Sequence, residues 1–412
     1  MTAITELRAG VVGTGFIGAV HLDALRRLGI QVAGVVGSTP ERARTKALPA
    51  QVIESYEALL ADPAVDVVHL TTPNHLHHAQ AVQALEAGKH VVCEKPLALT
   101  SRESGELVAL AERSGLVHCT NFNIRFYPIC QEARARVRSG ELGEIWNVHG
   151  GYLQDWLLLP TDWNWRLDPE HGGSLRAVAD IGSHWLDLVQ FVSGQRVVEV
   201  LADLHTFIGE RHRPTGEVET FASARSEADG PRITERMDSD DAAGVLLRFD
   251  GGARGTCTIS QVSAGRRNRM QWEIDGAQAA FAWSSDDPDH LWIGHRGRAN
   301  EVLRERPRAA VTARCGGDRV PRRAYRGLPG LVPRPAHRGL RRCSRRRTVA
   351  AAHVPDVCGR PRRRRRVRRH RGLRPQRRMD EGDQMIEEEV EMYHRLEPTA
   401  CVAGERGDGG SA

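Results

Sequence analysis

The stretch 8-RAGVVGTGFIGAVHLDALRRLG-29 decides the fold. It opens as an apolar strand, turns through glycines and continues as an amphipathic helical pattern. Gly13, Gly15 and Gly18 keep the spacing G-x-G-x-x-G at that strand-to-helix turn. The first glycine permits the tight turn, the second lets the backbone approach a pyrophosphate, and the third lets helix pack against strand. Free N–H groups at the start of the helix then suit an anion. The five residues Gly13, Gly15, Phe16, Ile17 and Gly18 are therefore expected to cradle a dinucleotide.

The same pattern continues outward. The segments 31-QVAGVVGSTPERARTKA-47 and 64-AVDVVHLTTPNHLHHAQAVQALEAG-88 each give a strand, a turn and a helix. Next come 89-KHVVCEKPLAL-99, a helix near 101–114 and 116-LVHCTNFN-123. Strands separated by helical patterns predict an α/β fold, a doubly wound parallel sheet with helices on both faces. An acid at the end of the second strand would hold the ribose 2′-OH of NAD. The chain instead has Ser38 and Thr39, with Arg42 one helical turn on. Small hydroxyls beside an arginine suit a 2′-phosphate, which favours NADP over NAD. The alternative reading is a helix N-cap with a surface arginine.

Thr72, Pro73, Asn74 and His77 follow another strand at the same sheet edge, where they would line the nicotinamide side. His75, His77 and His78 lack a partner at metal-ligand spacing, so no metal is expected. At 94-EKP-96, Glu94 and Lys95 precede a proline directly after a buried strand. In 172-GGSLRAVADIGSHWLDLVQFVSG-194, Asp180, His184 and Asp187 would share one face of a helix.

The combination resembles the Gfo/Idh/MocA oxidoreductase family. G-x-G-x-x-G, then E-K-P, then G-G-x-x-x-x-x-D-x-G-x-H-x-x-D carry the resemblance, from about residue 7 to about residue 303. It implies an N-terminal Rossmann domain over 1–123, binding NAD(P). It also implies a C-terminal α/β domain over 124–303, with a large open, mainly antiparallel sheet for substrate binding and oligomerisation. The implied substrate is a sugar, inositol or related polyol, and the implied assembly is a homo-oligomer through the open sheet. Lys95, Asp180 and His184 match the family's catalytic positions. Hydride transfer needs the adjacent hydroxyl to lose its proton. His184 would take it, Lys95 would stabilise the alkoxide, and Asp180 would orient the substrate or His184. An NAD-dependent glycosidase or an epimerase-like enzyme with transient hydride transfer is the alternative within the family. A non-catalytic nucleotide- or sugar-binding protein lies outside it.

In the second domain Arg125 either faces the cleft or is a surface charge at a helix start. Trp163 and Trp165 stand among Asp, Asn and Arg residues in 152-YLQDWLLLPTDWNWRLDPEHGG-173. Aromatic faces with interleaved polar groups suit a sugar, and the alternative is a loop pinned by tryptophan packing. Asp250-Gly251-Gly252 and Asp275-Gly276 mark turns between antiparallel strands.

Composition bounds the rest. No run approaches the roughly 18 apolar residues of a membrane span, and 1-MTAITELRAG-10 does not read as a signal peptide. The eight cysteines form no C-x-x-C pair. A cytoplasmic protein with reduced thiols is the expectation. The net charge of +6 conceals a segregation: residues 304–378 hold 27 arginines and 3 acids, so the body up to 303 is acidic. The run 359-GRPRRRRRVRRHRGLRPQRR-378 invites a nucleic-acid reading. A second reading is that 304–412 is an irregular or disordered basic tail translated out of frame. Arginine codons read one base later give Asp, Val, Ala or Gly. In that frame Met379-Asp380 becomes tryptophan and Met385-Ile386 a stop. The arginines are then an accident of the genetic code, and nucleic acid is not an expected partner. Sequencing the coding DNA tests this; a single intact frame through Ala412 removes it.

Overall fold

The structure, a computed structural model, describes residues 6–46, 50–215 and 231–304. The arginine-rich stretch and the out-of-frame reading lie outside the described residues. No described helix is long and apolar enough to cross a membrane.

The first sheet is wholly parallel. β1 (Arg8–Val12), α1 (Phe16–Arg27), β2 (Gln31–Val36), α2 (Pro40–Lys46) and α3 (Tyr56–Ala61) lead to β3 (Val67–Leu70). α4 (His77–Glu86), β4 (His90–Cys93), α5 (Ser101–Ser114) and β5 (His118–Thr120) complete it. The strand order is β2-β1-β3-β4-β5. An isolated parallel bridge from Val35 to Val52 sits beyond β2 and stands where a further edge strand would be. Counting it, the order becomes that of the dinucleotide-binding fold, with the reversal between β1 and β3. β1 and β2 are buried over four successive residues, around Val11 and Val35, as a sheet covered by helices requires. β3 and β4 alternate buried and half-buried residues, with Val68 and Leu70 of β3 on the buried side. α5 shows how locally the helices are specified. Thr100 accepts from Glu103 N, Glu103 Oε2 accepts from Leu99 N, and Gly115 at φ 65° ends the helix.

The second sheet has eight strands. α6 (Pro128–Arg138) precedes β6 (Ile145–Leu153). α7 (Pro169–Gly172) and α8 (Ser183–Ser193) lead to β7 (Val197–His205) and to the separate hairpin β8 (Glu210–Pro214) and β9 (Arg232–Arg236). Then come β10 (Ala242–Phe249), β11 (Arg254–Ser260), β12 (Arg269–Gly276), β13 (Ala280–Ser284), β14 (His290–Gly294) and β15 (Glu301–Arg304). The order is β15-β14-β13-β12-β6-β11-β10-β7, antiparallel except for the pair β6–β11. β10 alternates buried and exposed along its length, so one face packs on α6 and α8 and the other is open. Trp185 of α8 anchors the packed face: it is fully buried, and its Nε1 donates to Gln271 O at 2.8 Å.

Candidate active site

The carboxyl ends of β1 to β4 open into a cleft of about 860 Å³ that reaches α8 and β6 of the second domain. Gly13 sits at φ 102°, where a Cβ would lie 2.6 Å from Thr71 O. A Cβ on Gly18 would lie 2.1 Å from Gly13 O. These two glycines are required by the protein's own packing. Gly15 differs: nothing lies within 4 Å of where its Cβ would be, and it lines the cleft. An approach kept open at the start of α1 fits a bound pyrophosphate.

Gly13, Gly15, Phe16, Ile17, Ser38, Arg42, Thr72, Pro73, Asn74, Glu94, Lys95, Trp165, Asp180 and His184 all line this cleft. Four other residues lie outside its lining. Gly18 packs α1 on the turn. Thr39 accepts from Arg42 N at the start of α2. His77 is fully buried, bonded to Pro96 O at 2.7 Å and Thr72 O at 2.8 Å, and so ties the two cleft loops together. Trp163 packs beside Leu157, Leu167 and Met237. Arg125 also lies outside the lining: its Nε donates to Asp187 Oδ2 at 2.7 Å, and its guanidinium lies over Phe191. Burial pushes the Asp187 carboxyl up to about 6 against the pull of Arg125.

Lys95 lies two residues beyond the end of β4, and the Lys95–Pro96 bond is cis. Glu94 beneath it is buried. Its Oε1 accepts from Asn121 at 2.6 Å and meets His21 Nε2 at 3.0 Å, while Oε2 accepts from Lys95 N. Burial opposes that charge, but His21, Asn121 and Lys95 hold the carboxyl down to about 2.

The Lys95 ammonium crosses to the second domain, donating to Asp180 O and Oδ1, each at 2.8 Å. Arg166 Nε reaches the same Oδ1 at 3.1 Å, and Gln261 Nε2 donates to Oδ2 at 2.9 Å. Burial disfavours a charge on Asp180, but Arg166 and Lys95 outweigh it and hold the carboxyl well below the usual range. His184 is the neutral partner. Burial, then the nearby Lys95, push it down to about 3, and its buried Nδ1 has no hydrogen-bond partner. His184, Lys95 and Asp180 all line the cleft, so a hydroxyl bound there can meet both the imidazole and the ammonium.

A family model described as "Oxidoreductase family, NAD-binding Rossmann fold" matches residues 7–122. One for the GFO/IDH/MocA C-terminal domain matches residues 130–282. The chain belongs to the Gfo/Idh/MocA oxidoreductase family. Among Gfo/Idh/MocA relatives, the levoglucosan dehydrogenase of Pseudarthrobacter phenanthrenivorans is 32% identical over 301 residues, 70% of this chain and 76% of that one. A levoglucosan dehydrogenase solved with NADH and L-sorbose is 28% identical, with a TM-score of 0.65, covering 73% of this chain and 80% of that one. An inositol dehydrogenase homologue from Azotobacter vinelandii, solved with NAD+, is 28% identical, with a TM-score of 0.61, covering 72% and 76%.

The structure also brings in residues that the motifs did not announce. Tyr152 donates to Asn268 Oδ1 at 2.7 Å, and Gln154 Nε2 donates to the same oxygen at 2.8 Å. All three line the substrate end of the cleft with Trp156 and Arg166. Arg166 stands beside Trp165, and its guanidinium lies over that ring. The aromatic-polar alternation of that loop was the one available signal for it. Asp180 and His184 both face the cleft, but Asp187 turns away from it. The residues 178–182 form a π turn ahead of α8, and Asp187 within α8 is claimed by Arg125 outside the cleft lining. The shared helix face predicted for all three residues is therefore corrected.

Proposed function

We infer that this chain is an NAD(P)-dependent dehydrogenase acting on a CH–OH group of a sugar, inositol or related polyol. The reading is carried by His184 and the Lys95–Asp180 pair lining the same cleft as the glycine turn. The nicotinamide coenzyme, held by the turn and the Thr72–Asn74 loop, supplies the hydride acceptor or donor. Lys95, fixed in place by Asp180, holds the substrate oxygen and stabilises the negative charge that grows on it. The His184 imidazole, which lines the cleft, exchanges the hydroxyl proton. Lys95 already donates twice to Asp180 as an ammonium, so the neutral imidazole is the better proton acceptor. Tyr152, Gln154, Asn268 and Trp165 supply the hydrogen bonds and the ring that hold a polyol. A screen of levoglucosan, L-sorbose, myo-inositol and related sugars with each coenzyme tests this. Failure of every one to change the reduced-nicotinamide absorbance defeats it.

Depressed imidazoles set the pH dependence. His184 and His69 are both pushed down to about 3, in each case mainly by burial. His184 therefore stays neutral across physiological pH, and oxidation shows no acid limb at the ordinary histidine value of about 6.5. The same depression makes its protonated form a strong acid, which suits carbonyl reduction. For stability the sign is the usual one for a lowered histidine. The stabilisation is complete above about 6.5 and is lost as pH falls towards 3, because the unfolded chain binds the protons first. Melting temperature measured against pH should decline through that window.

We propose that the coenzyme is NADP in preference to NAD. Ser38 and Arg42 line the cleft at the end of β2, and the acids lining it among the described residues are Glu94 and Asp180, neither at that end. Arg42→Ala should weaken NADPH binding by about tenfold or more, the value of a charge-assisted hydrogen bond, and leave NADH binding nearly unchanged. Equal losses for both coenzymes would point to NAD. A homo-oligomer through the open sheet face is supported by Leu201 and Leu246. They are register partners on β7 and β10 and stand 69% and 52% exposed. A monomer by sedimentation velocity sinks that part.

A further inference from the structure

We propose that Gln261 is a positioning residue that couples the substrate loop to the Lys95–Asp180 pair; the proposal rests on the reading of that pair as catalytic. Gln261 follows β11 and is 2% exposed. Its side-chain amide stands between a carboxylate and a guanidinium. Nε2 donates to Asp180 Oδ2 at 2.9 Å, and Oε1 accepts from Arg176 at 3.1 Å. A carboxylate only accepts and a guanidinium only donates, so an amide in this one orientation satisfies both.

The chain of bonds does not stop at Arg176. Arg176 is also buried, and it bonds the carboxylate of Asp241, whose Oδ1 accepts in addition from Arg211 at 2.9 Å. Arg211 is fully buried and donates to the carbonyls of Leu157, Leu159 and Asp162. Those carbonyls belong to the loop that carries Trp156, Trp165 and Arg166 to the cleft. Arg166 at the far end of the loop returns to Asp180 Oδ1. The network is thus a closed circuit: loop to Arg211, Asp241, Arg176, Gln261 and Asp180, and back to the loop through Arg166. Gln261 is its neutral joint. The charged groups around that joint are Arg176, Asp180, Asp241, Lys95, Arg166 and Arg211. The loop and the carboxylate that fixes Lys95 are thus held in register from two sides, directly by Arg166 and through the Gln261 amide by Arg176 and Arg211.

Two variants separate this from a merely structural role. Gln261→Met breaks both bonds. Gln261→Glu keeps an acceptor for Arg176 but sets a carboxylate against Asp180. Both should lower kcat on the best substrate of the screen by about 10- to 100-fold, the scale of an ångström-sized misplacement, with NADH affinity unchanged. Gln261→Glu alone should recover as pH falls, because a protonated glutamate donates to Asp180 as the amide does. In the Asp180→Asn background Gln261→Met should cost little more. The same cycle read in denaturation midpoints needs no substrate, and there too the two losses should be sub-additive. The proposal is overturned by additive losses in the cycle, by a Gln261→Glu deficit constant with pH, or by kcat within about twofold of wild type for both variants. If Asp180→Asn is itself fully active, the catalytic reading fails instead, and the midpoint cycle still decides the coupling.

Discussion

Lys95→Met should reduce kcat/KM by about a thousandfold while NADH affinity changes by less than about tenfold. The size follows from what the ammonium faces. It is held at 2.8 Å from two oxygens of Asp180, 12% exposed, in a cleft walled by the second domain. A preorganised donor at a developing oxyanion in such a site is worth about 10²–10³ in rate. Methionine keeps the length and removes the charge, so both the donor and the field are lost. The fold should survive, because Asp180 retains Arg166 and Gln261. A second consequence separates this account from simple loss of packing. Lys95 is the largest electrostatic cause of the depressed His184, after burial. Without it the imidazole protonates more readily, so residual oxidation should acquire an acid limb closer to the ordinary histidine range. Full activity in Lys95→Met, or an unmoved acid limb, would contradict the assignment.

The sequence exposed those parts of the site that depend on neighbours in the chain. The glycine turn is such a case, because a strand, a tight turn and a helix are all local. Lys95 is another, since a strand end followed by proline puts its side chain at the sheet's carboxyl edge. Tyr152, Gln154 and Asn268 could not be read that way. They meet because β6 pairs with β12 in a register that sets Tyr152 against Met270, more than a hundred residues on. Pairing at that distance leaves no local periodicity to detect. The π turn at 178–182 was hidden for a different reason: its residues carry the same apolar spacing as an α-helix, and only the tertiary packing chooses the wider winding. Arg125 is a third kind of case. A charge at a helix start can face solvent, substrate or a buried acid, and it was Asp187, 62 residues away, that claimed it.

Gly15→Ala and Gly18→Ala should both abolish useful coenzyme binding, and only the second should also unfold the protein at lower temperature. At Gly18 a methyl group would stand 2.1 Å from Gly13 O and 3.0 Å from Thr71 Oγ1. Neither atom is the end of a flexible chain, so α1 must shift off the turn. Gly15 has φ −68° and ψ −173°, a conformation open to any residue, and empty space where its Cβ would be. Alanine therefore costs the apo protein almost nothing there, and its melting temperature should stay within about a degree or two of wild type. What the methyl does occupy is the approach to the first N–H groups of α1, where the pyrophosphate must come close to backbone. Losing that approach should weaken NADH and NADPH alike by about a hundredfold or more, since several hydrogen bonds to a doubly charged group lengthen together. Calorimetric titration and thermal melts on the same two variants measure both halves. Unchanged affinity in Gly15→Ala would mean that the dinucleotide lies elsewhere in the cleft. The glycine turn would then be a packing device, and His184 and Lys95 would be left without a coenzyme to serve.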